Sequence, residues 1–344
     1  MHPCRSFFTI VIILVSHLER GACLQADDVE ISQEAMIAVI RRSIPPLEKG
    51  MAGSADQRQC FTCHHQAIPV FVLAEARRRG FSMDGQQFER QIRHTLDHLM
   101  RGREDYLAGR GQGGKVLSAG YALWMLAVSG WMRDDTTDAV VKFLLEYQKD
   151  SDHWSHRGHR PPSSGSDFTA TYVALRGLQE FGNERQQAAI EIRTEQVKKW
   201  LLSEAPQDTE DHVFRLWALR SVGAGEQIVQ EATSALIGLQ REDGGWAQTA
   251  GRNSDPYATG TVLVALFRAA EVETTHPCVR RAVRYLVNCQ LEDGTWHVVT
   301  GAKPFQTYFE SGFPHGKDQF ISIAASSWAT LALIHMCPEK KLTE

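Results

Sequence analysis

Three stretches of the chain end a helical run of apolar residues in a glutamine and place a tryptophan a few residues further on. They are FLLEYQKDSDHW at 143–154, LIGLQREDGGW at 236–246 and YLVNCQLEDGTW at 285–296. Gln148, Gln240 and Gln290 are each followed six residues later by Trp154, Trp246 and Trp296. The first two glutamines are 92 residues apart and the last two 50, and the wider gap holds a degenerate copy, VKKWLLSEAP. There Trp200 and Leu201 stand where Phe143-Leu144 and Tyr285-Leu286 stand in the other copies. A chain that repeats one helical unit cannot bury each unit alone; neighbouring units must stack to make a continuous core.

Each unit continues into a second helix of different character. Val140, Phe143, Leu144 and Tyr147 form an apolar stripe on a helix whose other face is polar, so that helix is half exposed. The following segments, such as GYALWMLAVSG at 120–130 and YATGTVLVALFRAA at 257–270, are apolar or small on most sides and must be buried on several of them. The pairing predicts outer helices near 32–43, 86–100, 137–148, 191–202, 227–240 and 277–290, and inner helices beginning near 64, 115, 167, 211, 257 and 320. The expected fold is all-α: an α/α toroid of six outer and six inner helices, forming a single domain over 27–344. The longest connections, 149–166, 241–256 and 291–319, fall on the rim where the inner helices start, and function is expected there. The Gln and Trp of each unit read as structural, joining one unit to the next.

These residues resemble the QW repeat of the squalene and hopene cyclase and protein prenyltransferase superfamily, most closely in RAVRYLVNCQLEDGTW at 281–296. The resemblance covers most of 86–335 and implies the toroid. It does not carry an activity across residue by residue. The Asp-x-Asp-Asp acid motif of triterpene cyclases does not occur in the chain, and no Asp-x-Cys pair matches the zinc ligands of the prenyltransferases. The acidic run DDTTD at 134–138 has the look of a diphosphate–magnesium motif, but it lies between an inner and an outer helix on the opposite rim, where Asp135 or Thr136 would cap a helix. A second resemblance, carried by CFTCHHQ at 60–66 and FESGFPHGKDQFISIAASSWATLAL at 309–333, is to exported bacterial toroid proteins of uncharacterised function.

Cys60, Cys63 and His64 spell Cys-x-x-Cys-His, the attachment signature of c-type haem. The two thiols would add to the haem vinyl groups and the imidazole would reach iron. Distal ligands would come from rim histidines: His153, His156, His159 or His315. Two other readings stand beside it. A zinc ion could take Cys60, Cys63, His64 or His65 and a rim ligand, or the pair could be a reactive dithiol at a helix start.

Four aspartates, Asp167, Asp211, Asp255 and Asp318, stand before or within the first turns of inner helices and so surround one opening. Each could simply cap its helix; together they could raise one another's pKa values and supply an acid or a base. Asp255 and Asp318 are the favoured acids, with His315 beside the latter, and Tyr257, Tyr308 and Phe309 as an aromatic wall.

The apolar run FFTIVIILV at 7–15 after Arg5 suits a signal peptide over 1–26, which implies export to the periplasm or cell envelope with no later transmembrane helix. Lys and Arg number 37 against 41 Asp and Glu, so nucleic acid is not an expected partner. The leading expectation is an exported c-type haem protein for electron transfer or oxidation of a small apolar or glycan-like ligand held in the ring, with a redox partner or that small ligand as its partner. The alternatives are an isoprenoid cyclase or transferase using the rim carboxylates with a Cys/His metal site, and a non-enzymatic binding scaffold.

Overall fold

The computed structural model describes residues 31–338 except 156, 157, 159 and 304–306. The signal-peptide segment and the histidines His156 and His159 therefore lie outside the described residues. The chain is all-α, with thirteen α-helices among the described residues. The outer set is α1 (Gln33–Gln57), α3 (Gly85–Arg101), α6 (Asp135–Glu146), α8 (Gln187–Ser203), α10 (Glu226–Gly238) and α12 (Pro277–Cys289). The inner set is α2 (Ile68–Arg78), α5 (Lys115–Val128), α7 (Asp167–Phe181), α9 (Thr209–Ser221), α11 (Pro256–Arg268) and α13 (Gln319–His335), and a short α4 (Arg103–Leu107) lies between α3 and α5.

Each inner helix packs on the next, and α13 packs back on α2, so the ring is closed. The predicted toroid is the observed fold, and the inner helices begin within four residues of the expected positions. The difference in helix type follows from burial. Every residue of α13 from Ile321 to Ile334 is buried, whereas α12 buries only one stripe that includes Val279, Val283 and Leu286.

α1 runs fourteen residues beyond its expected end at 43, through Pro45 and Pro46. Proline removes a backbone donor and normally marks a boundary, but Leu47, Met51 and Ser54 are buried on the far side of the pair and hold the helix together. Gly50 and Gly53 permit the close approach there: a Cβ on Gly53 would stand 2.0 Å from the Ser311 carbonyl oxygen, and one on Gly50 would stand 2.7 Å from Ile323.

Five inner helices send an aromatic ring to the axis: Phe71, Trp124, Tyr172, Trp217 and Trp328. Centroid separations run from 4.4 Å for Phe71–Trp124 and 5.0 Å for Trp124–Trp217 to 6.3 Å for Trp124–Trp328. Such tilted and edge-to-face contacts are favourable beyond the area they bury. They fill the ring at about mid-depth and leave its open space on the side where the inner helices start.

Candidate functional site

A cavity of about 520 Å³ lies on that side, lined by His64, Arg160, Ser163, Tyr308, Lys317 and Phe320 among others. Its floor comes from the start of α13 and from the five-residue π-turn Cys63–Ala67 that leads into α2. Gln66 ties the turn off, its Oε1 accepting from the Thr62 backbone at 2.8 Å. The widened turn buries both His64 and His65. Phe320 stands edge-on to both imidazoles, with centroids 5.3 and 5.4 Å away, and carries the Arg160 guanidinium on its ring at 5.0 Å. Burial, reinforced by Arg160, lowers the pKa of His64 and takes that of His65 down to about 3, so both are neutral near pH 7.

This geometry corrects the metal readings. The Nδ1 atoms of His64 and His65 lie 2.6 Å apart and share a hydrogen bond, and His65 Nε2 is held by Ser311 at 2.9 Å. Cys60 is exposed while burial raises the Cys63 thiol pKa, the opposite of a poised thiolate. Of the proposed distal and rim ligands, the two among the described residues, His153 and His315, are engaged elsewhere. His153 bonds Asp152 at 2.7 Å and stacks on Trp200, and His315 bonds Thr295 at 2.8 Å and stacks on His297. Among the described residues no three His, Cys, Asp or Glu side chains are grouped to hold a metal ion.

The four aspartates are all found at helix starts, with different duties. Asp255 is the N-cap of α11, accepting from the Ala258 N–H at 3.0 Å, and burial raises its pKa. Asp211 accepts from Ser166 at 2.6 Å and from the Gln207 N–H at 3.0 Å, while Asp208 is the actual cap of α9. Asp167 accepts from Ser155 at 2.7 Å, and Ser166 caps α7. Asp318 is the one tied to the cavity wall. Its carboxylate accepts from the Thr300 N–H at 3.0 Å and pairs with His297 Nε2 at 2.9 Å. On the opposite rim DDTTD is a capping box, with Asp134 rather than Asp135 as the cap.

The acid that sequence reasoning missed is Glu210, in the first turn of α9. It is buried, accepts from Thr169 at 3.0 Å, and lies 3.2 Å from the Tyr257 hydroxyl. Burial first, and then the Asp208 charge, push its pKa up to about 8, so it holds a proton at neutral pH. Its field reaches Cys63 and Tyr121. The only signal in the sequence was its place in the acidic run Asp208-Thr209-Glu210-Asp211 at the start of a helix that must be inner, which aims one of the three acids inward.

Residues 181–342 match the family described as the squalene-hopene cyclase C-terminal domain. A probable squalene–hopene cyclase of Sinorhizobium fredii is 31% identical over 139 residues, covering 33% of this chain and 20% of that protein. A squalene–hopene cyclase of Bradyrhizobium diazoefficiens is 32% identical over 130 residues, covering 32% and 18%. The chain thus spans no more than a fifth of the length of these relatives. In fold it is similar to the type II terpene cyclase MstE from Scytonema in complex with merosterolic acid A, with a TM-score of 0.56 at 12% identity over 89% of this chain and all of that one. It is also similar to a possible member of the GH105 family from Klebsiella pneumoniae, with a TM-score of 0.50 at 12% identity over 95% and 98%. Homology and fold point to the squalene–hopene cyclase and terpene-cyclase toroid superfamily. They overturn the expectation of a haem protein for electron transfer: the matched sequences are cyclases, and among the described residues no group of His, Cys, Asp or Glu side chains could hold a metal ion. Among the described residues no helix is long and apolar enough to cross a membrane.

Proposed function

We propose that the chain is an isoprenoid cyclase-like enzyme that takes an apolar polyprenyl chain into the loop-side mouth of the ring. The observation that supports this most is the placement of the cavity. It opens where the inner helices start, has Phe320, Ile321, Ala324 and Tyr308 in its wall, and lies on a ring whose second half matches a cyclase domain. Aromatic faces of this kind stabilise a developing cation.

Glu210, buried in the first turn of α9 and outside the cavity's described lining, is the proton-holding group among the inner-helix starts. A carboxylic acid that stays neutral at pH 7 can present an O–H to a ligand, and Tyr257 and Thr169 fix its orientation. Asp318 acts by holding the 297–300 wall in place, and His315 packs against that wall through His297. Asp255, Asp211 and Asp167 organise the helix starts around the mouth.

The test is turnover by the purified full chain, supplied in separate assays with squalene and with geranylgeranyl dihydroxybenzoate, the substrate bound in a solved MstE complex. A product of unchanged mass and altered retention supports the reading, as does its loss in Glu210→Gln with the helical fold retained by circular dichroism. Full turnover in Glu210→Gln removes that residue from the chemistry. No conversion of either compound overturns the enzyme reading.

A further inference from the structure

The cavity wall has two chemistries. Phe320, Ile321 and Ala324 make part of it apolar, while Arg160, packed on the Phe320 ring, and Lys303 and Lys317 bring three cations to it, and no carboxylate is among the described lining residues. A plain hydrocarbon gives those cations nothing to bind, whereas an anionic headgroup does.

His64 adds a second demand. Gln319 donates from Nε2 to the Phe309 carbonyl at 2.9 Å, which turns the amide oxygen toward Ser311. An amide oxygen only accepts, so the Ser311 hydroxyl donates to it, and Ser311 in turn accepts from His65 Nε2–H. Neutral His65 then carries its lone pair on Nδ1, where it accepts from His64 Nδ1–H. Neutral His64 is left with a bare lone pair on Nε2, at the opposite edge of a ring that lines the cavity. That atom has no hydrogen-bond partner although His64 is only 5% exposed. A buried acceptor without a donor is costly.

We infer that the cavity is a headgroup site for a hydroxy acid bearing an isoprenoid tail. The carboxylate lies against Arg160, Lys303 and Lys317, the hydroxyl donates to His64 Nε2, and the tail follows Phe320 and Ile321. Ser311 is a positioning residue that locks the tautomer through His65. The inference rests on the isoprenoid reading of the mouth and deepens it by specifying the ligand's polar end.

Binding by the full chain is measured by titration calorimetry with four probes: 3-farnesyl-4-hydroxybenzoate, its methyl ester, its phenolic methyl ether, and farnesylbenzene. The ester is expected to bind about tenfold more weakly than the acid, and the ether about fivefold more weakly, because each lacks one of the two headgroup contacts. Lys317→Gln, an exposed position that leaves the fold alone, narrows the acid–ester gap. His64→Phe and Ser311→Ala narrow the acid–ether gap while leaving the ether's own affinity unchanged. Equal affinities of all four probes for the unmodified chain overturn the inference, whatever the variants do. If squalene is cyclised but the headgroup is ignored, this inference fails and the enzyme reading stands. If the acid is preferred but no isoprenoid is converted, the headgroup site stands and the enzyme reading fails.

Discussion

Trp246 donates its indole N–H to the carbonyl of Leu236, ten residues upstream, at 2.9 Å. The same bond joins Trp154 to Leu144 at 3.0 Å and Trp296 to Leu286 at 2.8 Å. Each tryptophan therefore satisfies a late carbonyl of the outer helix before it. The glutamine of the unit does the complementary job. Gln240 donates to the carbonyl of Cys278 in the next outer helix at 2.7 Å, and Gln290 donates to that of Val39 at 2.9 Å, which links the last outer helix to the first.

Trp246→Ala is expected to cost roughly 3–5 kcal/mol, the sum of a large cavity and an orphaned carbonyl. Trp246→Phe keeps most of the ring and should lose only about 1–2 kcal/mol. Urea unfolding of the two variants separates packing from the hydrogen bond; equal losses would contradict this division.

Glu210 makes stability depend on pH. Its folded pKa of about 8 lies above the unfolded value of 4.5, so the folded state binds the extra proton between the two. Stability then falls as pH rises through that window, by up to about 3–5 kcal/mol for this group. Glu210→Gln should remove the slope and raise the melting temperature at pH 8 relative to the parent. The measurement is a melting series from pH 5 to pH 8.5.

Glu75 behaves in the opposite sense. Burial opposes its ionisation, but hydrogen bonds from Arg78 and Arg79 and the nearby Arg268 and His335 bring its pKa down to about 2. The pairing contributes stability above the unfolded pKa of 4.5 that disappears as pH falls toward 2. Glu75→Gln is expected to lose roughly 2–4 kcal/mol at pH 7, since it removes the buried carboxylate on which Arg78, Arg79 and Arg268 converge, and little at pH 2. Acid titration of both proteins, followed by circular dichroism, checks the crossover.

Gly53→Ala should destabilise by about 1–3 kcal/mol, because the new methyl would meet the Ser311 backbone. Gly85→Ala, in the first turn of α3 with nothing within 4 Å, should be neutral or stabilising. The first variant also displaces the residue that orients His65, so it is expected to narrow the acid–ether gap described for the cavity while the second does not.

The ring was legible in the sequence because its signal is repeated: three Gln–Trp copies and alternating half-apolar and wholly apolar helices fix the layers independently. The continuation of α1 through Pro45 and Pro46 was not, since local backbone preference argued for a stop and only distant burial overrode it. A cavity lies on the rim the sequence singled out, and the haem and metal chemistry read from its Cys-x-x-Cys-His motif was wrong. Cys-x-x-Cys-His is a spacing rule, and spacing does not reveal that His64 would turn its Nδ1 onto His65 or that Ser311, 246 residues away, would complete the chain. Glu210 was hidden between Thr209 and Asp211 because a solvated carboxylate and a buried acid are the same letter.

The cluster of Phe71, Trp124, Tyr172, Trp217 and Trp328 makes the toroid a cup rather than a pipe. A guest that reached past Phe320 toward the axis would find it filled, so a chain longer than the remaining depth must double back on itself, bringing its ends near one another before any bond is made. Guest length would then be sorted by a knot of tilted and edge-on aromatic rings, far from the loops that greet it.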